Sequence, residues 1–461
     1  MKKPEIILGV APTKRGFLSM EEAKRQKDKF MAVIRGIHPD VVKIVDIDDI
    51  CENGIICKTD DIPAAVAKFK DARIDALFTP HCDFGEEQCA AGIAAAMKVP
   101  TLMWGARDER PNTDEGRGRD TQCGMFACTK VMRRFGVQYS YIWNCETESD
   151  DFKNGFDRFV RVVSIVKTVK NLRLAKFGAR PVPFMSVMAN EADLATKFGI
   201  TTIPISPNAI AAKADKLMET NDEKLVTYLA DLKARIDTST MSEEMTRRCA
   251  AVKLATQELM IENNCTAGAV ECWSAKPILG VPICMTLGEL ADEGLPLSCE
   301  TDINGAVTLA ILRAATLGKD SEFLADLTIR HPENDNAELL WHCGPFPYSL
   351  KDPNCGARLV EGQERWELKK GEITLCRFDD IDGKYYLFGG EGKAVDGPAT
   401  TGTYVWFEAD NWKRWEEKLM YGPYIHHVGG VYGNYKPVLR EAARYLGMIF
   451  DDASEQGTYS L

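Results

Sequence analysis

Residues 296–305, PLSCETDING, run from an apolar strand directly into a helix that begins with small residues. Glu300 and Asp302 stand where the apolar run ends, and Glu271 closes a second apolar run, AGAVECW, in the same way. In an open parallel sheet, ligands bind beyond the carboxyl ends of the strands. The stretch therefore predicts a strand–helix unit of a parallel sheet whose edge directs carboxylates into one crevice. Alternatively, Glu271 and Glu300 cap helices or pair with surface arginines.

The rest of the chain extends this strand–helix pattern. Apolar runs rich in β-branched residues alternate with amphipathic stretches from the N-terminus onward, which predicts parallel sheets covered by helices. Later the pattern changes to the glycine- and aromatic-rich alternation that is typical of antiparallel strands. We therefore predict an α/β protein with two Rossmann-like parallel-sheet domains, 1–175 and 176–335, and a mainly antiparallel β domain, 336–461, that ends in a helix. The second domain carries the strand-end acids. No Gly-x-Gly-x-x-Gly follows the first strand, so a nucleotide cofactor is not indicated.

The composition narrows the class of partner. The chain has 461 residues, 45% hydrophobic and 27% charged, and its net charge of −11 is spread along it. This balance argues against nucleic acid or a membrane surface as a partner, and no apolar run approaches the ~20 residues of a membrane span. The N-terminal MKKPEIILGVAPTKRG is typical of a first strand and not of a signal peptide. Fifteen scattered cysteines without a Cys-x-x-Cys pair indicate free thiols in a reducing cytoplasm.

Three of the six histidines lie among apolar and aromatic residues. His426 and His427 are adjacent in YGPYIHHVGGVYG, and His342 lies in LLWHCGPF. Since successive strand residues face opposite sides, only one of the adjacent pair points inward. A histidine joined to two strand-end acids would complete an oxygen-rich divalent metal site, which suits Mn²⁺ or Mg²⁺ better than zinc. Alternatively, each of these histidines is a core residue.

Basic residues mark two loops of the first domain. Lys14 and Arg15 follow the first strand in APTKRGF, and Arg117 and Arg119 precede a predicted helix in RGRDTQCGMF. Basic side chains near helix N-termini form sites for anions or polyols. The alternative for both loops is a set of solvated surface charges.

Together these blocks resemble the L-fucose isomerase / L-arabinose isomerase superfamily, and specifically its shorter L-fucose-isomerase-like members. The most specific motifs are DEGLPLSCETDINGA at 292–306 and IHHVGGVYGNYKPVLREAARYLGM at 425–448. The resemblance covers nearly the whole chain. It implies an aldose–ketose isomerase that moves a sugar carbonyl between C1 and C2 through an enediolate. It also implies a divalent cofactor, Mn²⁺, with Mg²⁺ or Co²⁺ as alternatives.

The resemblance also implies roles for individual residues. Asp302 matches the family's aspartate ligand and His427 its C-terminal histidine ligand. Glu271 is the best match for the first acidic ligand, with Glu300 as the alternative or as a supporting acid. Glu271 and Asp302 would also shuttle the proton between the two sugar carbons. The residues predicted to bind substrate are Arg15, Trp273, Glu300, His342 and His426.

Family members build each active site at a subunit junction, so the resemblance implies a homo-oligomer, a trimer or a hexamer. The loop with Arg15 would then reach the neighbouring subunit's substrate. That substrate is a monosaccharide resembling L-fucose or L-arabinose, or a C6-modified sugar such as sulfoquinovose. Two other functions stay open: a metal-dependent lyase or epimerase on the same scaffold, and a non-catalytic sugar-binding protein.

Overall fold

The structure, a computed structural model, describes residues 5–16, 18–111 and 118–456. Arg117 of the second basic loop lies outside these residues. The chain divides into two compact units, Lys2–Lys167 and Thr168–Leu461. The finer division into three domains with boundaries at 175 and 335 stays a prediction.

The N-terminal unit alternates strands and helices. Ser19 begins its first helix, because the Ser19 hydroxyl accepts a hydrogen bond from the Glu22 backbone N–H at 3.2 Å. The five strands pair in parallel in the order β2-β1-β3-β4-β5. The elements are β1 (Ile6–Val10), α1 (Met20–Gly36), β2 (Val42–Val45), α2 (Ile62–Asp71), β3 (Ala76–His81), α3 (Glu87–Met97), β4 (Thr101–Gly105), α4 (Thr121–Arg134), β5 (Tyr139–Tyr141) and α5 (Asp150–Lys170).

The second unit begins with another parallel sheet. Its four strands have the order β7-β6-β8-β9. The elements are β6 (Arg173–Phe177), α6 (Glu191–Phe198), β7 (Thr201–Ile205), α7 (Pro207–Glu219), α8 (Glu223–Arg235), α9 (Glu243–Glu262), β8 (Ala267–Val270), α10 (Ala275–Leu279), α11 (Cys284–Asp292), β9 (Leu297–Ser298) and α12 (Ile303–Ala315). The short strand β9 is the apolar part of the PLSCETDING stretch, and α12 is the helix that follows it.

The same unit continues into a mainly antiparallel sheet of nine strands, ordered β12-β13-β16-β11-β10-β17-β14-β15-β18. This sheet includes β10, which precedes the predicted change of pattern at residue 336. The predicted fold class, two parallel α/β sheets and then a mainly antiparallel sheet, is confirmed. The elements are β10 (Phe323–Arg330), β11 (Ala337–His342), β12 (Arg358–Val360), β13 (Gln363–Glu367), β14 (Glu372–Ile381), β15 (Lys384–Val395), β16 (Thr403–Ala409), α13 (Trp412–Tyr421), β17 (His427–Tyr432), α14 (Lys436–Leu446) and β18 (Ile449–Asp452).

Helix α12 connects the two sheets of the second unit. All of its residues except Arg313 are buried, as expected of a helix that is apolar on every side. It packs against β8 and β9 of the parallel sheet and against β14 and β17 of the antiparallel sheet. Its first turn therefore lies where the carboxyl ends of β8 and β9 meet β17.

No helix in the described part of the chain is long and apolar enough to cross a membrane. All fifteen cysteines are present as free thiols, many of them buried. A cytoplasmic location stays a prediction.

Candidate active site

The candidate site is built around His427, the first residue of β17. The antiparallel register of β10 and β17 places Asp326 directly opposite His427. Strand β11 flanks β10 on its other side and ends at His342. The turn between β9 and α12 supplies Glu300. The β10–β11 hairpin, β17 and the turn before α12 therefore bring two carboxylates and two imidazoles together.

Buried carboxylate and imidazole atoms converge in this site. The Nε2 atom of His427 lies 3.1 Å from Glu300 Oε2 and 3.4 Å from Asp326 Oδ1. The Nε2 atoms of His342 and His426 each lie 3.9 Å from the same Asp326 oxygen. Asp326 Oδ1 and the Nε2 atoms of His342 and His427 are buried and have no hydrogen-bond partner. Since buried polar atoms are nearly always bonded, this cluster is a candidate position for a ligand.

The environment of His427 favours a positive charge. Its Nδ1 lies 2.8 Å from Asp302 Oδ2 and donates a proton to that carboxylate, and its Nε2 faces Glu300 and Asp326. Burial by itself lowers the pKa of His427. The carboxylates of Asp302, Glu300 and Asp326 outweigh this effect and raise that pKa to about 9. A cation is therefore stabilised at this position, either as a proton on Nε2 or as a metal ion that replaces it.

Asp302 binds the Nδ1 atom of His427. Its side chain is fully buried, and Oδ1 accepts a hydrogen bond from the Gly305 backbone N–H at 2.8 Å, which caps α12. The Arg377 guanidinium binds both oxygens, at 2.5 and 3.1 Å. Burial opposes ionisation of Asp302, but Arg377 and His427 together hold its pKa well below the usual range. Both oxygens are therefore occupied by protein groups.

Arg377 is a fully buried arginine on β14. Besides the pair with Asp302, its Nε donates to Asp379 Oδ2 at 2.9 Å. A buried guanidinium is stable only with such partners, because an unpaired charge is costly in a low-dielectric interior. The chain Arg377–Asp302–His427 thus fixes the orientation and the tautomer of the imidazole.

Glu271 lies apart from this cluster. Its Oε1 accepts the Ser274 backbone N–H at 2.8 Å, and its Oε2 accepts the Ser274 hydroxyl. The side chain is 3% exposed and holds the turn that precedes α10. Both Glu271 oxygens are therefore bonded to Ser274, and its predicted role as a metal ligand stays a prediction.

Trp273 and Phe184 border the cluster on its open side. Trp273 is 52% exposed, and its Nε1 donates to Glu300 Oε1 at 3.2 Å. The ring of Phe184 contacts Trp273 edge-on and is stacked near His427, with centroids 5.1 and 6.4 Å apart. These rings form an apolar rim beside the carboxylates, the kind of surface on which a sugar ring packs. Glu300 has one oxygen held by this rim and the other directed at His427.

His342 has a defined tautomer. Its Nδ1 accepts the Cys343 backbone N–H at 2.9 Å, so in the neutral ring Nε2 carries the proton. Burial lowers the pKa of His342, which favours that neutral form. In that form the side chain is a hydrogen-bond donor that faces Asp326.

Arg15 belongs to the N-terminal unit and follows β1. Its backbone N–H donates to Asp83 Oδ1 at 2.8 Å, and its Nη1 donates to Glu86 Oε2 at 3.1 Å. The guanidinium also lies 4.5 Å from the ring centroid of Phe84. These partners hold Arg15 at the carboxyl edge of the first sheet. Lys14 beside it is only 2% exposed, so the two residues are not simply solvated loop charges.

Arg119 of the second basic loop is engaged within its own unit. Its Nε donates to Glu109 Oε2 at 2.7 Å, and its Nη2 donates to the Arg107 carbonyl at 2.6 Å. These contacts give Arg119 a structural role in the loop that precedes α4.

Two charged residues of the site, Asp326 and Arg377, were not predicted from the sequence. Asp326 is the single acid of the apolar run FLADL, and Arg377 is the single basic residue of the apolar run ITLCRF. A lone charge inside an apolar strand must find a partner or a ligand. A single charged residue within an apolar run was therefore the feature of the sequence that could have identified both residues.

Comparisons with known proteins agree with this architecture. Residues 9–170 match the family model described as "Fucose/sulfoquinovose isomerase, N-terminal domain", and residues 361–453 match "L-fucose isomerase, C-terminal domain". Both models lie where the sequence resemblance placed the corresponding blocks of the superfamily. The predicted resemblance is confirmed.

Individual relatives extend the match along the chain. A sulfoquinovose isomerase of Priestia megaterium is 24% identical over 447 residues, which cover 95% of this chain and 97% of that protein. A sulfoquinovose isomerase of Alkalicoccus urumqiensis is 26% identical over 334 residues, 70% of this chain and 73% of that protein. A solved ABC transporter solute binding protein from Bacillus halodurans C-125, with bound myo-inositol, is 11% identical and covers 68% of this chain and 90% of that chain. Its TM-score is 0.18, a value too low to support any inference.

Family domains match at both ends of this chain, and relatives align along almost its whole length. The chain therefore belongs to the L-fucose isomerase family and is an enzyme, a sugar isomerase of the aldose–ketose type.

Proposed function

We propose that the protein is a metal-dependent aldose–ketose isomerase whose divalent ion, Mn²⁺ by preference, is held by Glu300, Asp326 and His427. One observation carries the proposal: the carboxylate oxygens Glu300 Oε2 and Asp326 Oδ1 lie 3.1 and 3.4 Å from the buried Nε2 atom of His427. Two carboxylate oxygens and one imidazole form a donor set that suits Mn²⁺ or Mg²⁺. Mg²⁺ and Co²⁺ remain alternative ions.

This ligand set revises the assignment drawn from the resemblance. We assign Asp302 to positioning His427, because Arg377, Gly305 and His427 already occupy its oxygens. Glu271 is likewise assigned to the turn before α10. Glu300, the alternative first acid in the sequence analysis, takes the place of Glu271, and Asp326 takes the place of Asp302.

The residues of the site match the chemistry of isomerisation. Glu300, Asp326 and His427 would hold a divalent ion that would polarise the sugar carbonyl and offset negative charge developing on the sugar. The carboxylates of Glu300 and Asp326 both lie near His427 Nε2, where they would accept and return the proton that moves between C2 and C1. Neutral His342 offers its Nε2 proton to a sugar oxygen. Trp273 and Phe184 shield the sugar from water on the open side.

We further propose that the substrate is a C6-modified sugar with an anionic end, of which sulfoquinovose is the first compound to test. The relatives from Priestia and Alkalicoccus bear that substrate in their names. The test incubates Mn²⁺-loaded protein with sulfoquinovose, L-fucose and L-arabinose and identifies products by NMR. We expect the ketose isomer of sulfoquinovose. C–C cleavage products or a C2 epimer alone would favour the lyase or epimerase alternative, and turnover of neutral sugars only would exclude the anionic substrate.

Arg15→Ala tests the contribution of the first loop to substrate binding. If the guanidinium pairs with an anionic sugar terminus, loss of this charge-assisted interaction costs ~1.5–3 kcal/mol and raises KM by about tenfold or more. Metal content should stay unchanged. Arg25→Ala, which removes an exposed arginine paired only with Glu22, is the matched control. If the KM of Arg15→Ala equalled the KM of Arg25→Ala, Arg15 would not bind substrate and would serve only to stabilise the edge of its own sheet.

A trimer or hexamer with active sites at subunit junctions is part of the same proposal. Sedimentation velocity across nanomolar to micromolar concentrations should show a homo-oligomer whose dissociation lowers activity. A fully active monomer of 51.2 kDa would contradict it.

A further inference from the structure

Two cysteines lie in contact directly beside Glu300. The Sγ atoms of Cys272 and Cys299 are 3.2 Å apart, and Cys299 donates its S–H to Cys272. The contact follows from the sheet, because β8 and β9 are parallel neighbours with Ala269 opposite Ser298, so the two chains leave the sheet side by side. An S–S bond is about 2.05 Å long. Closing the bond therefore requires a movement of about 1 Å.

Each cysteine precedes a residue that determines the position of the Glu300 carboxylate. Cys299 is followed by Glu300 itself, and Cys272 is followed by Trp273, whose indole N–H donates to Glu300 Oε1. Glu300 and Thr301 both have left-handed backbone angles, with φ values of 58° and 53°. Such angles are unfavourable for non-glycine residues and persist only where the surroundings enforce them. A displacement of Cys299 is therefore passed on to Glu300.

We propose that Cys272 and Cys299 form a reversible disulfide that switches the isomerase off by displacing Glu300 from the metal. The proposal rests on the proposed function, since it takes Glu300 as a metal ligand. Cys272 is the partly exposed member and Cys299 the buried one. An oxidant therefore reaches Cys272 first, and Cys299 is already within contact distance to complete the bond.

The oxidant is hydrogen peroxide, which reacts in two steps. The Cys272 sulfur attacks one oxygen of hydrogen peroxide, the O–O bond breaks, and the products are a sulfenic acid and water. The Cys299 sulfur then attacks the Cys272 sulfur, the S–O bond breaks, and a second water leaves. The two thiols lose two electrons in total, and the peroxide gains them. A small dithiol reverses the reaction by two thiol–disulfide exchanges.

A second close pair provides an internal comparison. Cys284 and Cys343 have Sγ atoms 3.3 Å apart. Cys343 follows His342, which the proposed function uses as a hydrogen-bond donor and not as a metal ligand. A disulfide there would not displace Glu300, so loss of metal distinguishes the two pairs.

The experiment treats Mn²⁺-loaded enzyme with hydrogen peroxide and measures three quantities: disulfide-linked peptides by mass spectrometry, bound Mn²⁺, and isomerase activity. We expect a Cys272–Cys299 linkage and a fall in Mn²⁺ affinity of about 10–100-fold, the size of effect seen when groups that orient metal ligands are disturbed. Activity should fall in parallel, and dithiothreitol should restore both. Cys272→Ser, with Cys272→Ala as a second variant, should keep its metal and activity in peroxide. Cys284→Ser and the exposed-thiol control Cys123→Ser should respond as the parent enzyme does.

Three results would overturn the proposal. The mapped peptides of the oxidised enzyme could lack the Cys272–Cys299 linkage, or the linkage could form with metal and activity unchanged. Equal inactivation of Cys272→Ser would assign the effect to other thiols. Failure of the proposed function is recognised separately, because the fully reduced enzyme would then show no Mn²⁺-dependent isomerisation whatever the peptide map shows.

Discussion

Asp326→Ala is expected to abolish isomerase activity and Mn²⁺ binding while the protein remains folded. Asp326 Oδ1 is a buried atom without a hydrogen-bond partner, 3.4 Å from His427 Nε2, so its removal takes away a ligand and breaks no internal bond at that atom. A metal that polarises the substrate contributes several kcal/mol to the rate, and each ~1.4 kcal/mol corresponds to a factor of ten. We expect kcat to fall by at least about a thousandfold.

Metal content measured by mass spectrometry of the purified variant checks this expectation. Asp335→Ala, which removes an exposed aspartate paired only with Arg330, is the matched control and should keep its metal and activity. Glu271→Gln should also retain Mn²⁺, because Glu271 binds Ser274 and not the histidine cluster. If Asp326→Ala kept full Mn²⁺ occupancy and Glu271→Gln lost its metal, the metal ligands would be those that the family resemblance implies.

Asp302→Asn is expected to destabilise the second unit by about 3–5 kcal/mol, the cost of breaking one partner of a buried ion pair. Asp302 and Arg377 both have fully buried side chains, and the asparagine would leave the guanidinium with Asp379 as its remaining carboxylate. His427 would also lose the acceptor that orients its Nδ1, so Mn²⁺ affinity should fall by about 10–100-fold. Chemical denaturation of the metal-free protein measures the first effect, and Mn²⁺ titration measures the second.

The double variant Asp302→Asn/Arg377→Met separates the two roles of Asp302. Removing both charges should recover much of the lost stability, because the interior then holds no unpaired guanidinium. Metal affinity should stay low, since His427 still lacks its partner. An Asp302→Asn protein that unfolds at the same denaturant concentration as the parent, yet binds no Mn²⁺, would identify Asp302 as a direct ligand.

Much of the site's location could be read from the sequence. An apolar run that stops at an acid signals a strand end, and Glu300 does lie just after β9, near His427. The choice between Glu300 and Asp302 could not be made in the same way. Left-handed angles at Glu300 and Thr301 turn the chain between the two acids, so Glu300 faces the crevice and Asp302 faces back onto α12 and Arg377.

Asp326 was beyond prediction for a different reason. Its contact with His427 depends on the antiparallel register of β10 and β17, two strands separated by most of the C-terminal sheet sequence. Register of this kind is set by long-range packing that local patterns do not encode. For Glu271 a local signal was present, since a serine three residues later, Ser274, is placed to bind an acid at a turn.

Anomalous diffraction from crystals grown with Mn²⁺ tests the central claim most directly, because it locates the ion without reference to activity. The predicted result is one manganese peak per chain within coordination distance of Glu300, Asp326 and His427, with Asp302 still bound to Arg377. A manganese peak coordinated by Glu271 and Asp302, or no peak at the histidine cluster in protein that isomerises its sugar, would contradict it.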